Sequence, residues 1–200
     1  MKEKTIKRMI TSVAVIFFLL IGTNSLRAQN VALKTNLLYD ATTTFNLGLE
    51  FSLAPKWTLD ISANYNPWTF DENKKIKHFL IQPEARYWFC QKMNGHFFAM
   101  HLHSGIYNAG NIDADFKFLG TNFAVLKEKR LEGWLVGAGI GYGYAWMLGK
   151  HWNLEAEIAI GYAYTKFKQY PCVKCSDKET NRVHNYVGPT KAALSLVYVF

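Results

Sequence analysis

Beyond its first two dozen residues the chain has no apolar run long enough for a membrane-spanning helix, which needs about 20 residues. An α-helical membrane protein is thereby excluded. Cysteine is scarce: Cys90, Cys172 and Cys175 are all the chain has. Three thiols do not make a disulfide-stapled scaffold, and an exported chain can oxidise one pair and leave one over. Zinc needs four ligands, and His184 is the only obvious addition to Cys172-x-x-Cys175. The expectation is a local Cys172–Cys175 disulfide with Cys90 unpaired. A nucleotide loop is also missing. Gly137, Gly139, Gly141 and Gly143 fail the dinucleotide pattern, because Tyr142 and Tyr144 stand where a third glycine is needed.

What the chain does have is alternation. In 133–148, GWLVGAGIGYGYAWML, one face carries Trp134, Val136, Ala138, Ile140, Tyr142, Tyr144, Trp146 and Leu148. The other face is mostly glycine. A strand with lipid outside and large neighbours inside reads this way. The same period recurs at 31–39, 45–53, 57–65, 79–89, 98–106, 152–164 and 194–200. Eight strands close an up-and-down barrel with no free edge. Pro83 falls inside one of them, where it removes a ladder donor, and is read as a bulge.

The first 28 residues stand apart. Lys2, Lys4, Lys7 and Arg8 precede an apolar stretch from Met9 to Ile21, and Ala28 offers a small residue for cleavage. This predicts a signal peptide over 1–28, removed on export, and a barrel domain over 29–200. Half of the net charge of +8 belongs to that leader. The excess that remains is assigned to the long connections 66–77, 108–132 and 165–187, which alternate with short turns. Outer-membrane barrels have short periplasmic turns and longer outside loops. With that orientation the aromatics fall at two levels. Phe51, Trp57, Tyr87, Phe89, Tyr144, Trp146, Trp152, Tyr198 and Phe200 form the periplasmic one. Tyr39, Phe45, Tyr65, Phe79, Trp134, Tyr162 and Tyr164 form the outer one. Two aromatic girdles are the mark of two membrane interfaces. The fold class read from the sequence is therefore all-β, an eight-stranded antiparallel up-and-down transmembrane β-barrel of the cell outer membrane.

Several segments together resemble a known family: LKTNLLYDA, QPEARYWF, GHFFAMHLHSGIYNAG, the glycine-rich strand, HWNLEAEIAIGYAY, YPCVKC and NYVGPTKAALSLVYVF. They are similar to uncharacterised outer-membrane barrels of Bacteroidetes-type Gram-negative bacteria. The resemblance covers essentially the whole chain after the leader. It implies fold and location, and the genomic context of such barrels hints at fimbria-like surface partners. It carries over no catalytic residue.

The inward face collects Lys34, Glu50, Asp60, Glu84, Arg86, His101, His103, Glu155 and Glu157, with Asn36, Asn46 and Asn64. Eight-stranded barrels fill their interior with side chains rather than a channel, and buried charges must pair. A structural polar network is the expected role, and a small polar site or proton path is the sharper alternative. His101 and His103 with Glu155 and Glu157 have metal-binding chemistry but no matched spacing, so neither metal nor cofactor is expected. His103-Ser104 cannot form a nucleophile–base pair, because adjacent strand residues face opposite sides.

The expected function is non-enzymatic: envelope integrity, adhesion or assembly with a surface partner. The alternatives are a lipid-modifying enzyme with a loop-borne site and a soluble exported ligand-binding barrel. Expected partners are outer-membrane lipid and lipopolysaccharide, a fimbria-like surface protein, and the barrel-insertion machinery through the last strand ending in Phe200. Nucleic acid is not expected.

Overall fold

A computed structural model of the chain describes residues 31–70, 74–111, 117–118, 121–122, 129–170 and 180–200. The expected signal peptide and the Cys172–Cys175 pair lie outside the described residues. The elements run β1 (Val31–Asn36), α1 (Leu37–Ala41), β2 (Phe45–Ala54), β3 (Trp57–Asn66), β4 (Lys75–Trp88) and β5 (Gly95–Gly110). A two-residue pair, β6 (Lys117–Phe118) and β7 (Thr121–Asn122), follows, then β8 (Arg130–Met147), β9 (Trp152–Tyr170) and β10 (Thr180–Val199). Eight strands are antiparallel neighbours in the order β1-β10-β9-β8-β5-β4-β3-β2 and close into a barrel. β6 and β7 stand apart as a two-stranded sheet.

The barrel is staggered. One inward row runs Ala32, Glu50, Asp60, Glu84, His101, Gly139, Gly161, Gly188 through successive pairings. It reaches β10 at Gly188, far from Val199, which pairs directly with Ala32. Closing a sheet of tilted strands requires such a shear. The row also divides the lumen. Along it, ionisable side chains come from β2 to β5 and bare glycine from β8 to β10, while Glu155 and Glu157 of β9 and Lys191 of β10 enter from other rows.

Four expectations need correction. The strand expected over 31–39 ends at Asn36, and Leu37–Ala41 is a helical turn. The Asn36 side chain accepts from Leu38 N–H at its start, satisfying an otherwise unpaired donor. This takes Tyr39 out of the outer aromatic level. Burial raises its phenol above the ordinary range, and the Lys191 ammonium opposes that shift.

Pro83 makes no bulge. It pairs with Ile61, and the register with β5 is unchanged from Ile81–Ser104 to Glu84–His101. A missing N–H interrupts a ladder without inserting a residue. The register shifts fall instead between Ser52 and Ala54 and between Pro189 and Lys191.

Two long connections are shorter than expected. β5 continues to Gly110 and β8 starts at Arg130; β9 continues to Tyr170 and β10 starts at Thr180. The alternation fades there because outward positions such as Lys166 and Lys168 are no longer apolar, while the ladder itself persists.

The short-turn end is closed by an apolar cluster of Ala32, Trp88, Met93, Phe97, Ala99, Ala145 and Val197. Trp88 and Phe97 rings lie 4.6 Å apart.

Candidate functional site

All nine predicted interior residues are buried. The structure brings Lys34, Glu50, Asp60, Glu84, Arg86, Glu155 and Glu157 into one ionic network. Arg86 is its centre. Its Nε donates to Glu84 Oε1 at 2.6 Å, its Nη1 to Glu155 Oε1 at 2.7 Å and Glu50 Oε2 at 3.1 Å, and its Nη2 to Glu157 Oε2 at 2.8 Å. Asp60 Oδ2 lies 3.1 Å from Nη2. The guanidinium also sits over the Phe97 ring, 4.7 Å from its centroid. A planar fork with five donors is the side chain that can hold this many carboxylates at once.

Lys34 contacts Glu50 and reaches Glu155 Oε2 at 3.1 Å. Glu50 also accepts from the Thr58 hydroxyl, which in turn accepts from Trp88 Nε1 at 2.9 Å. The ionic centre is thus tied to the apolar closure beneath it.

Lys191 is the charged member of the network, among the described residues, that the sequence reading omitted. Its Nζ donates to Glu84 Oε2 at 2.8 Å and lies 3.0 Å from Glu157 Oε2. Lys191 shares the inward register of Ala193 and Ser195, and the bulge at Pro189–Lys191 shifts the phase of the residues before it. The period alone could have found it, since Lys191 lies two residues before Ala193, but the expected strand began too late.

His101 and His103 point inward beside the network without joining its hydrogen bonds. Their rings are 5.4 Å apart, and His101 Nδ1 stands 3.7 Å from Glu84 Oε2. Neither nitrogen of His101, nor Nδ1 of His103, nor Thr190 Oγ1 has a hydrogen-bond partner among the described residues. The metal quartet does not assemble. Glu155 and Glu157 bond Arg86 instead, and no cluster of three His, Cys, Asp or Glu suited to a metal occurs among the described residues. Ser104 is exposed on the outer face while His103 is buried, so the two are separated as the strand period requires.

The glycine strand fits around these side chains. A Cβ on Gly139 would stand 2.7 Å from both His101 Cε1 and Thr190 Oγ1. One on Gly141 would stand 3.1 Å from Glu157 Oε1. Gly137 and Gly143 face His103 and Phe97 in the same way. The remaining void beside Lys34, Asp60 and Lys191 is about 30 Å³, so this part of the lumen is filled. Asn46 and Asn36 brace the mouth instead, Asn46 Nδ2 donating to Asp40 Oδ1 at 2.7 Å. Cys90 is exposed and free.

Chemically the interior is a buried, multiply bonded ion cluster. Five carboxylates surround three cations, and the one hydroxyl bonded into the cluster among the described contacts is that of Thr58, which donates to Glu50. Such an arrangement fixes the relation of strands far apart in sequence. Lys34 and Glu155, for example, are 121 residues apart.

No curated protein and no solved structure matches the chain. One family model does, over residues 14–200. That match agrees with the expected membership of an uncharacterised family and is silent on source and location. It spans the whole described sheet, and the chain belongs to the family described as Protein of unknown function (DUF3575).

Proposed function

We propose that the chain is an outer-membrane β-barrel, exported by a cleaved signal peptide, whose role is non-enzymatic: to hold a stable surface platform for envelope integrity or for assembly with a surface partner. The observation that carries this reading is inverted polarity. Met100, Leu102, Ile140 and Ile158 are about 60 % exposed at mid-barrel, whereas Arg86 and Glu84 are 1 % exposed. Water as the outer solvent would favour the opposite arrangement. A hydrocarbon surround makes both choices favourable at once.

The aromatic belts support the same reading. At the short-turn end, rings contact in series from Trp57 through Tyr87, Phe89 and Phe98 to Tyr142. Trp152, Tyr198 and Phe200 extend that level on the neighbouring strands. At the other end Trp134 packs on Tyr164 and Phe45 on Trp68. Strands of 18, 19 and 20 residues in β8, β9 and β10 exceed the roughly 9–11 needed to cross a bilayer. They would project past the outer interface and raise a wall there.

Within this reading the short turns face the periplasm and Phe200 presents the terminal strand to the insertion machinery. Lipopolysaccharide surrounds the outer rim, and a fimbria-like protein is the proposed class of surface partner. The interior network serves as a plug, since eight strands leave no room for a channel.

The test is fractionation of the full chain with a gel assay for heat-modifiable migration in detergent. Recovery in the outer membrane, with a folded form that migrates differently after boiling, is expected. Recovery as a soluble periplasmic protein would overturn the reading. Crosslinked pull-down from intact envelopes then identifies the partner, and lipid A of unchanged mass in a deletion strain separates a platform from a lipid-modifying enzyme.

A further inference from the structure

The wall is interrupted beside β1, the shortest strand of the barrel. β1 pairs with β2 from Val31–Phe51 to Lys34–Gly48 and with β10 from Ala32–Val199 to Asn36–Ser195. Beyond those pairs β2 and β10 border a notch, and α1 packs against both strands at its foot. The two sides of the notch differ. On the β2 side, Thr44 N–H donates to the Tyr39 carbonyl at 2.9 Å, Asn36 N–H donates to Asn46 Oδ1, and Asn46 Nδ2 donates to Asp40 Oδ1 at 2.7 Å. That edge is sealed. On the β10 side, Leu194 N–H donates to Asn36 Oδ1 at 3.2 Å, and the Pro189 carbonyl accepts from the Tyr186 hydroxyl at 3.1 Å. Pro189 has no N–H to leave unpaired. Further up, from Val187 to Asn181, β10 has a strand on its β9 side alone among the described residues.

Facing decides which backbone groups meet this open edge. The N–H groups of outward Leu194 and Phe200 donate towards β1, to Asn36 and Val31, and that of inward Val199 donates the other way, to His151. Backbone direction alternates along a strand together with the side chains. Above the bulge the outward residues are Asn181, Val183, Asn185 and Val187, so theirs are the N–H and C=O groups that point into the notch. Val183 and Val187 are exposed. Edge strands are normally blunted by lysine, proline or a bulge. Here Pro189 and the bulge mark the lower limit, and the four outward residues above them are neutral. Val187 and Asn185 stand in register with Tyr162 and Tyr164 of the outer aromatic level, so the open stretch starts there and rises above it.

We propose that Asn181–Val187 is a docking edge for an extended segment of a second protein, which pairs antiparallel with β10 in line with β1 and sets aliphatic side chains beside Val183 and Val187. The inference deepens the surface-platform reading and rests on it for access from outside. Continuity argues for the occupant: the open groups extend the row that β1 already pairs lower down. A row of alternating donors and acceptors is matched by another backbone, and a lipid offers no such row. Direction argues against a second copy. Copies in one membrane all run β10 from the long-loop end to the short-turn end, whereas a strand in line with β1 runs the opposite way.

The experiment reads backbone amide exchange residue by residue in the full chain folded in detergent. The amides of Arg182, His184 and Tyr186, which face β9, should exchange slowly, and those of Asn181, Val183, Asn185 and Val187 fast. The probe is a soluble acetylated peptide of alternating Thr and Val. It should slow the fast set roughly tenfold or more. N-methylation along one edge of the peptide should abolish the effect, and along the other edge should leave it. Val183→Pro removes an N–H that faces the notch, so it should keep the wild-type urea midpoint and lose the peptide. Tyr186→Pro removes a bond to β9 and should lower the midpoint. In outer-membrane vesicles the fast set should be slow without added peptide. Four amides already slow in the purified chain would mean that the chain covers its own edge, and would overturn the proposal. So would peptide binding unchanged by Val183→Pro, fast amides in vesicles, or vesicle protection that accompanies a crosslinked dimer of the chain. A chain that takes the peptide yet fractionates as soluble keeps this edge and loses the outer-membrane reading.

Discussion

Arg86 and His103 occupy the same closed lumen, yet they are held in different ways. Towards the short turns, Arg86, Glu50, Lys34 and Thr58 form a lattice of short bonds resting on Trp88 and Phe97. Towards the long loops, His101, His103 and Asn64 are as deeply buried and Thr190 lies beside them, but each carries a nitrogen or oxygen with no partner among the described residues. Both regions are polar. The first is rigid because every donor of its central cation finds a carboxylate. The second is held by shape, with imidazoles lying against bare glycine. A lumen can therefore be full without being uniformly bonded, and the cost of a substitution should depend on which region it enters.

Arg86→Met should have the largest effect. It would leave five carboxylates facing two lysines, and removing one partner of a buried ionic cluster costs about 3–5 kcal/mol. A large fall in the urea midpoint of the heat-modifiable form, or failure to refold into detergent, is the expected result. Wild-type stability would mean that the lattice is not what holds this end.

Gly139→Leu probes the shape-held region. Its side chain would collide with His101 and Thr190, and overpacking costs about 1–3 kcal/mol or more. Gly149→Ala is its control, because nothing stands within 4 Å of a Cβ there. Equal behaviour of the two variants would show the upper lumen to be loose.

Lys191→Met lies between the regions. It removes two carboxylate contacts against the five of Arg86, with an expected loss of about 1.5–3 kcal/mol. In a double-mutant cycle it should couple to Glu157→Gln and be additive with His103→Leu. Coupling to His103 instead would merge the two regions into one network.

His103→Leu should have the smallest effect. Replacing a buried group whose Nδ1 has no hydrogen-bond partner among the described residues by an apolar one is near neutral, within about 1 kcal/mol. A loss comparable to that of Arg86→Met, read by the same urea titration, would reveal a bonded role for the imidazole.

The alternation made much of this legible before any coordinates. Eight strands, the inward side of each, the two aromatic levels and the nine buried ionisable residues all follow from a period of two. Gly137, Gly139, Gly141 and Gly143 were legible as spacers because they share the face of His101 and Glu157 on neighbouring strands. The reading faltered where local chemistry overrode the period. Leu37–Ala41 alternates well enough to pass for strand, yet Asn36 caps it into a helical turn. The strand end from 165 to 170 was hidden because outward Lys166 and Lys168 are charged, and that from 180 to 187 because outward Val183 and Val187 are interrupted by Asn181 and Asn185.

The sequence by itself determined which side chains enter the barrel, since facing is a property of each strand alone. Only the tertiary structure decided which of them meet. Glu155 and Glu157 pair in register with Ala145 and Gly143, yet their carboxylates bond Arg86 of β4 across the lumen, because the shear of a closed sheet offsets distant strands. The bulge beside Pro189 reverses the facing of β10, so that even-numbered Gly188 lies inward before it and odd-numbered Lys191 lies inward after it. Register, stagger and bulge depend on eight strands closing together, and no single strand carries that information.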